Sequence, residues 1–208
     1  KEQYDQVFAG TNEGFSEIWW FYCPSGSTTA SRYVIYNYAQ NIWYYGNLSR
    51  TAWIDSGIRD FPLAATYNNN VVNHEDGIDD NETGTNAGIS SFITSAQFDL
   101  DDGHRFAFIQ KVYPDVTFDG STAESPSATL SLFAAQNSGS GRNSPASEGG
   151  TNTGSITRTA TAPIEAFTSR LDLRVRGRQL ALKIESSDAG VKWQLGSPRL
   201  EMRPDGRR

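Results

Sequence analysis

Hydrophobic and polar positions alternate along this chain in short runs interrupted by Gly, Asn, Asp, Ser and Pro. That pattern belongs to β-strands and tight turns rather than to helices, whose apolar residues recur every three or four positions. From Glu17 to Asp55 it predicts four strands, Glu17–Cys23, Arg32–Tyr38, Ile42–Asn47 and Thr51–Ile54, separated by turn material such as Ser25-Gly26-Ser27 and Ala39-Gln40-Asn41. The second and third carry large side chains at consecutive positions, so both faces of this sheet are expected to be covered. A covered four-stranded sheet of about 40 residues has the size of one β-propeller blade held between neighbours. The edge of a β-sandwich is the alternative. A hairpin follows, Leu63–Tyr67 and Val71–Glu75, joined by Asn68-Asn69-Asn70, a residue type that tolerates left-handed backbone angles.

Residues 76–90 are acidic and turn-rich, which places a boundary near residue 88 and divides the chain into 1–88 and 89–208. Beyond it lie strand candidates Phe92–Leu100, Arg105–Tyr113, Ala128–Ala134, Leu171–Glu185, Val191–Leu195 and Arg199–Met202. The expected fold is all-β, a β-propeller-like blade or blades followed by an antiparallel β-sandwich. Residues 137–155 are almost entirely small and polar and bury too little to offset ordering entropy. That loop is expected to be mobile, or ordered only by a neighbouring chain. Between Leu171 and Glu185 apolar residues hold odd positions before Gly177 and even positions from Leu180 onward. Because alternation has period two, the switch predicts a bulge, a bend or a crossing between sheets at Gly177–Gln179.

Composition adds to this picture without changing it. Hydrophobic residues make up 37% and aromatics 12%, enough for a core, while 19 glycines supply turns. The single cysteine, Cys23, cannot close an intrachain disulfide and is read as a small buried residue; with only His74 and His104 beside it, a Cys/His zinc site lacks ligands. No cofactor or metal is expected. There is no run of about 18 apolar residues and no signal-peptide pattern at Lys1-Glu2-Gln3-Tyr4-Asp5, so no membrane partner is expected. The chain begins at Lys1 and leads almost at once into a strand-like run at Val7-Phe8-Ala9, as expected of a piece of a longer polypeptide.

Sequence signatures of P-loops, dinucleotide sites, zinc proteases and nucleophile elbows are absent. A Ser-His-Asp triad built on His74 or His104 is permitted by composition alone and carries no weight. Glu75, Asp76, Asp102 and Asp119 are nominal candidates for a glycosidase carboxylate pair, but all lie at or next to Gly-containing turns, where acids sit for local reasons. The acidic stretch Glu75–Glu82 has the oxygen ligands that calcium takes but not the spacing of an EF-hand loop, and a solvated loop is the preferred reading. Trp19, Trp20, Trp43 and Trp53 would suit a sugar platform, with core packing preferred.

Charge is uneven. Residues 170–208 carry ten Lys and Arg against five Asp and Glu, whereas residues 1–169 carry eight against nineteen, within a formal net charge of -6. Arg174, Arg176, Arg178, Arg207 and Arg208 are therefore candidates for a subunit interface or for phosphate contacts. The acidic balance of the whole favours the interface.

The string Arg32-Tyr33-Val34-Ile35-Tyr36-Asn37-Tyr38, with Trp43-Tyr44-Tyr45-Gly46 and Arg50-Thr51-Ala52-Trp53-Ile54-Asp55, resembles a late propeller blade of the tail-hub (nozzle, or packaged-DNA stabilization) proteins of short-tailed bacteriophages. His74-Glu75-Asp76-Gly77, Tyr113-Pro114-Asp115-Val116, Arg174-Val175-Arg176-Gly177-Arg178-Gln179, Trp193-Gln194-Leu195-Gly196 and Arg203-Pro204-Asp205-Gly206-Arg207-Arg208 are similar to their C-terminal end. The resemblance covers most of residues 7–208 and brings no catalytic residues with it. It implies a non-enzymatic virion structural protein of the tail, a homo-oligomeric ring expected to be hexameric. Such a ring meets connector and other tail proteins, extends the DNA channel and helps retain packaged DNA, which passes through the lumen without specific binding. An acidic wall suits that passage because it repels phosphates. Such hubs normally carry several blades before this region. The alternatives are a carbohydrate-binding tail or cell-surface module and, behind it, a glycan depolymerase.

Overall fold

Every strand pair among residues 3–135 and 156–206, the residues described by the computed structural model, is antiparallel, and none of the sheets closes on itself. The all-β class is as expected. The loop at 137–155 and the candidates Arg207 and Arg208 lie outside the described residues. The chain divides into two units, Lys1–Gly77 and Ile78–Arg208.

In the first unit β1 (Phe8–Asn12), β2 (Glu17–Tyr22), β3 (Arg32–Asn37) and β4 (Ile42–Asn47) form a meander in chain order. Its membership differs from expectation. The segment at Thr51–Ile54 does not extend the sheet; it becomes β5 (Ala52–Ile54) and pairs with β6 (Leu63–Ala65), which pairs with β7 (Val71–Asn73). The reason is Trp53. Its ring stacks on Trp19 at 5.1 Å and its Nε1–H donates to the Thr11 carbonyl at 2.8 Å, which carries β5 over the face of the meander instead of along its edge. Register aligns Phe8, Phe21 and Tyr33 in one row of that face and Gly10, Trp19 and Ile35 in the next. Phe21 is fully buried there, with Trp19, Ile35 and Ala30 around it. Cys23 is half-buried and packs against this core. Asn69 takes the left-handed angle (φ 63°) that the Asn-rich turn before β7 needs.

The second unit opens with a short hairpin, β8 (Asp79–Asp80) and β9 (Ala87–Gly88). Sequence reading placed this hairpin before the boundary near 88, whereas the unit begins at Ile78. Asp79 Oδ1 accepts the Gly190 N–H at 2.6 Å and Gly88 lies against the backbone of Ser187, so the hairpin is tied to the far end of the chain. The remaining strands are β10 (Ser91–Thr94), β11 (Phe98–Asp99), β12 (Ala107–Tyr113), β13 (Val116–Thr117), β14 (Ser127–Ala135), β15 (Ile156–Glu165), β16 (Val175–Gly177), β17 (Gln179–Ser186), β18 (Gln194–Leu195) and β19 (Arg199–Pro204). One sheet runs β10-β17-β14-β15 with β11 also on β17, a second runs β16-β12-β19, and β13 pairs with β18. Residues of the first two sheets share one core, including fully buried Ile109, Leu130, Leu132 and Ile184. The expected switch at Gly177–Gln179 is a crossing: β16 belongs to the three-stranded sheet and β17 to the five-stranded one, with Arg178 between them donating its N–H to the Ala135 carbonyl. Val175 and Gly177 are buried before the break, Leu180, Leu182 and Ile184 after it.

Candidate interaction surfaces

Because strand neighbours that face each other share a side of the sheet, the register fixes what the second face of the meander displays. Ile18, Tyr36 and Trp43 form one row and Trp20, Val34 and Tyr45 the next. The Trp43 ring lies 5.9 Å from that of Trp20 and 4.7 Å from that of Tyr36. This face is not covered as the sequence suggested: Trp43 is 61% and Tyr45 45% exposed. Strand β4 is an edge of its sheet, and Ile42 and Tyr44, on its other side, are also exposed. The tryptophans thus divide. Trp19 is buried and Trp53 half-buried in the core, whereas Trp20 is half-buried on the open face and Trp43 stands out of it. Core packing, expected for all four, fails for Trp43 because nothing described packs outside β4.

A second surface lies on the outer side of the β16-β12-β19 sheet. Val175, Ile109 and Met202 point into the core, so their neighbours Arg176, Phe108 and Arg203 form a row on the opposite side. The guanidinium carbons of Arg176 and Arg178 lie 3.9 and 4.6 Å from the centre of the Phe106 ring, Arg203 lies 4.9 Å from that of Phe108, and Arg199 5.8 Å from that of Tyr113. Arg176 also donates to Asp205, Nε to Oδ2 at 2.6 Å and Nη2 to the backbone carbonyl at 2.9 Å. Arg178 donates to the carbonyls of Gly103 and His104. Two sequence candidates therefore hold this chain together internally. Arg174, just before β16, is exposed, with no acidic partner among the described residues. Arg199 and Arg203 were missed by sequence reading because they are distant in the chain and adjacent only through β12. The signal present was the Arg-x-Glu-x-Arg alternation at 199–203, which puts all three on one face.

Three of the acidic candidates lie in turns. Glu75 and Asp102 sit at left-handed angles (φ 61° and 53°) and Asp119 precedes Gly120 at φ 86°, so each occupies a turn. Glu75 approaches Glu17, a residue not considered from sequence. Desolvation first, and then the Glu17 charge, raises the Glu75 pKa above the usual carboxylate value, against a hydrogen bond from Asn12 that lowers it. Desolvation also raises Glu17, opposed by the bond from Trp19 Nε1 at 3.0 Å. Burial and both carboxylates raise Tyr33. At Asp55 burial acts upward, but hydrogen bonds from the Thr11 hydroxyl, the Glu13 and Ser56 amides and the Ser56 hydroxyl outweigh it and lower the pKa. His74 accepts the Nε–H of buried Arg50 on its Nε2 at 2.9 Å, which occupies the lone pair that a general base would use.

Among the described residues no group of three or more His, Cys, Asp or Glu is arranged to hold a metal ion, and no helix is long and apolar enough to cross a membrane. Two clefts are small: one of about 230 Å³ is lined by Ser90, Ser127, Glu185 and Asp188 among others, and one of about 240 Å³ by Tyr113, Arg199, Leu200 and Glu201. Both fall short of the ~300–1,000 Å³ usual for small-molecule sites. What stands out chemically is surface rather than cavity. No protein-family model matches this sequence, and no curated protein matches it.

Proposed function

We propose that this chain is a structural, non-enzymatic component of a virus particle, a subunit of the tail hub or nozzle of a short-tailed phage, whose ring extends the DNA channel and helps retain packaged DNA. The observation that carries this reading is strand β4: an uncharged edge strand, Ile-Trp-Tyr-Tyr-Gly-Asn, with Ile42, Trp43, Tyr44 and Tyr45 all exposed. Isolated soluble proteins blunt such edges with charges, bulges or cover, because an open apolar edge recruits other chains. A four-stranded meander with one packed face and one aromatic face is also what a propeller blade presents when its neighbour is taken away. The blade and the β-sandwich of the second unit belong to this proposal, as do the ring and its location in the virion. The resemblance of the RYVIYNY and RVRGRQ strings supplies the phage context.

Peptide mass spectrometry on density-purified, protease-washed virus particles tests it. The chain is expected at a few copies per particle; recovery only as free protein in the lysate would overturn the reading. The exposure of Trp43 beside Trp20 favours one alternative, a carbohydrate-binding module, since stacked rings on a flat sheet face suit pyranose stacking. Under that reading Trp43→Ala abolishes binding to host-surface glycan while leaving stability unchanged.

A further inference from the structure

The outer face of the β16-β12-β19 sheet carries positive charge, on Arg174, Arg199 and Arg203, that no carboxylate among the described residues pairs. Residues 174–178 and 199–205 bring together five arginines and only two carboxylates, Glu201 and Asp205. Both carboxylates are spent: Glu201 on Lys111 at 3.0 Å and Asp205 on Arg176 at 2.6 Å. Arg199 and Arg203 are held by rings rather than by acids, and that difference matters. A carboxylate partner would consume the guanidinium's N–H donors and its charge. An aromatic face orients the planar group and leaves both available for a second oxyanion. Arg199 further lines a groove of about 240 Å³ with Tyr113, Leu200 and Glu201.

The rest of the chain supplies the complementary charge. From residue 60 to residue 104 there are nine Asp and Glu and no Lys or Arg. Asp80 within that stretch is exposed, and among the described residues Asp79 and Asp80 accept neutral donors, the Gly190 and Glu82 backbone N–H groups. Local bonds of that kind leave their charge uncompensated. One surface basic and another acidic on the same chain attract head to tail, and a heterologous contact of this kind builds a ring where its rotation closes. A net charge of -6 repels nucleic acid and a second copy alike at long range, so the choice of a second copy rests on the acidic stretch that it carries to the arginines and on the ring reading.

We infer that Arg174, Arg199 and Arg203 form a docking face for a second copy of this chain, seated on its acidic stretch around Asp80. This deepens the ring reading above and rests on it. The charge reversal R174E/R199E/R203E and the reversal D80K serve as a complementary pair, with R174Q/R199Q/R203Q and circular dichroism as checks on folding. By sedimentation velocity at about 50 mM salt, wild type is expected to self-associate and to weaken as salt rises to about 500 mM. Each reversal alone is expected to lower association by about tenfold or more, and an equimolar mixture of the two to restore it. Unchanged association of R174E/R199E/R203E would overturn the docking face and leave the ring reading standing, whose own test is the composition of the particle. Self-association of D80K at the wild-type level would overturn the acidic half of the contact. A wild-type chain that remains monomeric yet binds a fluorescent oligothymidylate, with binding lost in the R174E/R199E/R203E variant, would also overturn the inference and assign the face to nucleic-acid phosphates.

Discussion

Gly10→Ala separates two opposing effects in the first unit. In an extended strand, alanine restricts the unfolded chain more than glycine does, and on that ground the change stabilises by about 0.4–1 kcal/mol. Here, however, Trp53 lies across β1 at Gly10: a Cβ would fall 2.8 Å from its Cγ and 3.0 Å from its Nε1, and closer still to Cδ1. The indole cannot retreat without losing its bond to the Thr11 carbonyl and its stacking on Trp19. Overpacking of this kind costs about 1–3 kcal/mol and the lost hydrogen bond about 0.5–1.5 kcal/mol. The net expectation is a loss of about 2 kcal/mol, within a span of about 0.5–4 kcal/mol. Four of the five tryptophans lie in residues 1–77, so urea unfolding followed by tryptophan fluorescence reports chiefly on this unit. For a unit of this size the loss corresponds to a fall in Tm of roughly 10 °C. Gly14→Ala is the control, because only Asn12 Oδ1, at 3.8 Å, comes near its Cβ, and it is expected to be neutral or slightly stabilising. In a Trp53→Leu background the penalty of Gly10→Ala should largely vanish. A Gly10→Ala protein as stable as wild type would refute the placement of Trp53 over β1.

Other expectations follow from the same contacts. Arg176→Ala is expected to cost about 1–2 kcal/mol, from the fork on Asp205 and the stacking on Phe106 at a partly exposed site; Arg176→Lys should lose nearly as much, because an ammonium cannot reproduce the fork, and urea denaturation of the two variants checks it. Leu132→Ala removes a fully buried side chain where β14 packs into the second unit's core and is expected to cost about 2–5 kcal/mol by denaturant unfolding. Glu75→Gln is expected to raise Tm at pH 7. Its folded pKa and that of Glu17 are raised, so the unfolded chain ionises first, and the stability contributed by their protonated forms is full below about 4.5 and lost as pH rises through the folded values. The gain of Glu75→Gln over wild type should therefore disappear in melts at about pH 3, and a gain that persists there would rule out charge as its cause.

Alternation and turn chemistry make much of this architecture legible in the sequence. Strands β2, β3 and β4 lie where short apolar runs bounded by Ser-Gly-Ser and Ala-Gln-Asn placed them, because side-chain period and turn residues are local properties. The parity switch at Gly177 is equally local, and it marks where the chain leaves one sheet for another. Arg174, Arg176 and Arg178 were visible as a basic run, yet the run does not say which arginines face outward with unspent charge.

That distinction is long-range, and only the tertiary structure decides it. Asp205 and the carbonyls of Gly103 and His104 reach Arg176 and Arg178 across 29 to 75 residues, whereas Arg199 and Arg203 join the same face through their pairing with β12. The same holds for the aromatic sheet. Consecutive large side chains on β3 and β4 establish that both faces are apolar, but whether a face is covered depends on what the rest of the chain brings to it. Trp53 covers one side, reaching β1 from more than 40 residues away, and Trp43 is left exposed on the other. Composition and periodicity are sums over neighbours along the chain and determine the strands; burial and pairing are sums over neighbours in space and determine which of their residues remain to meet a partner.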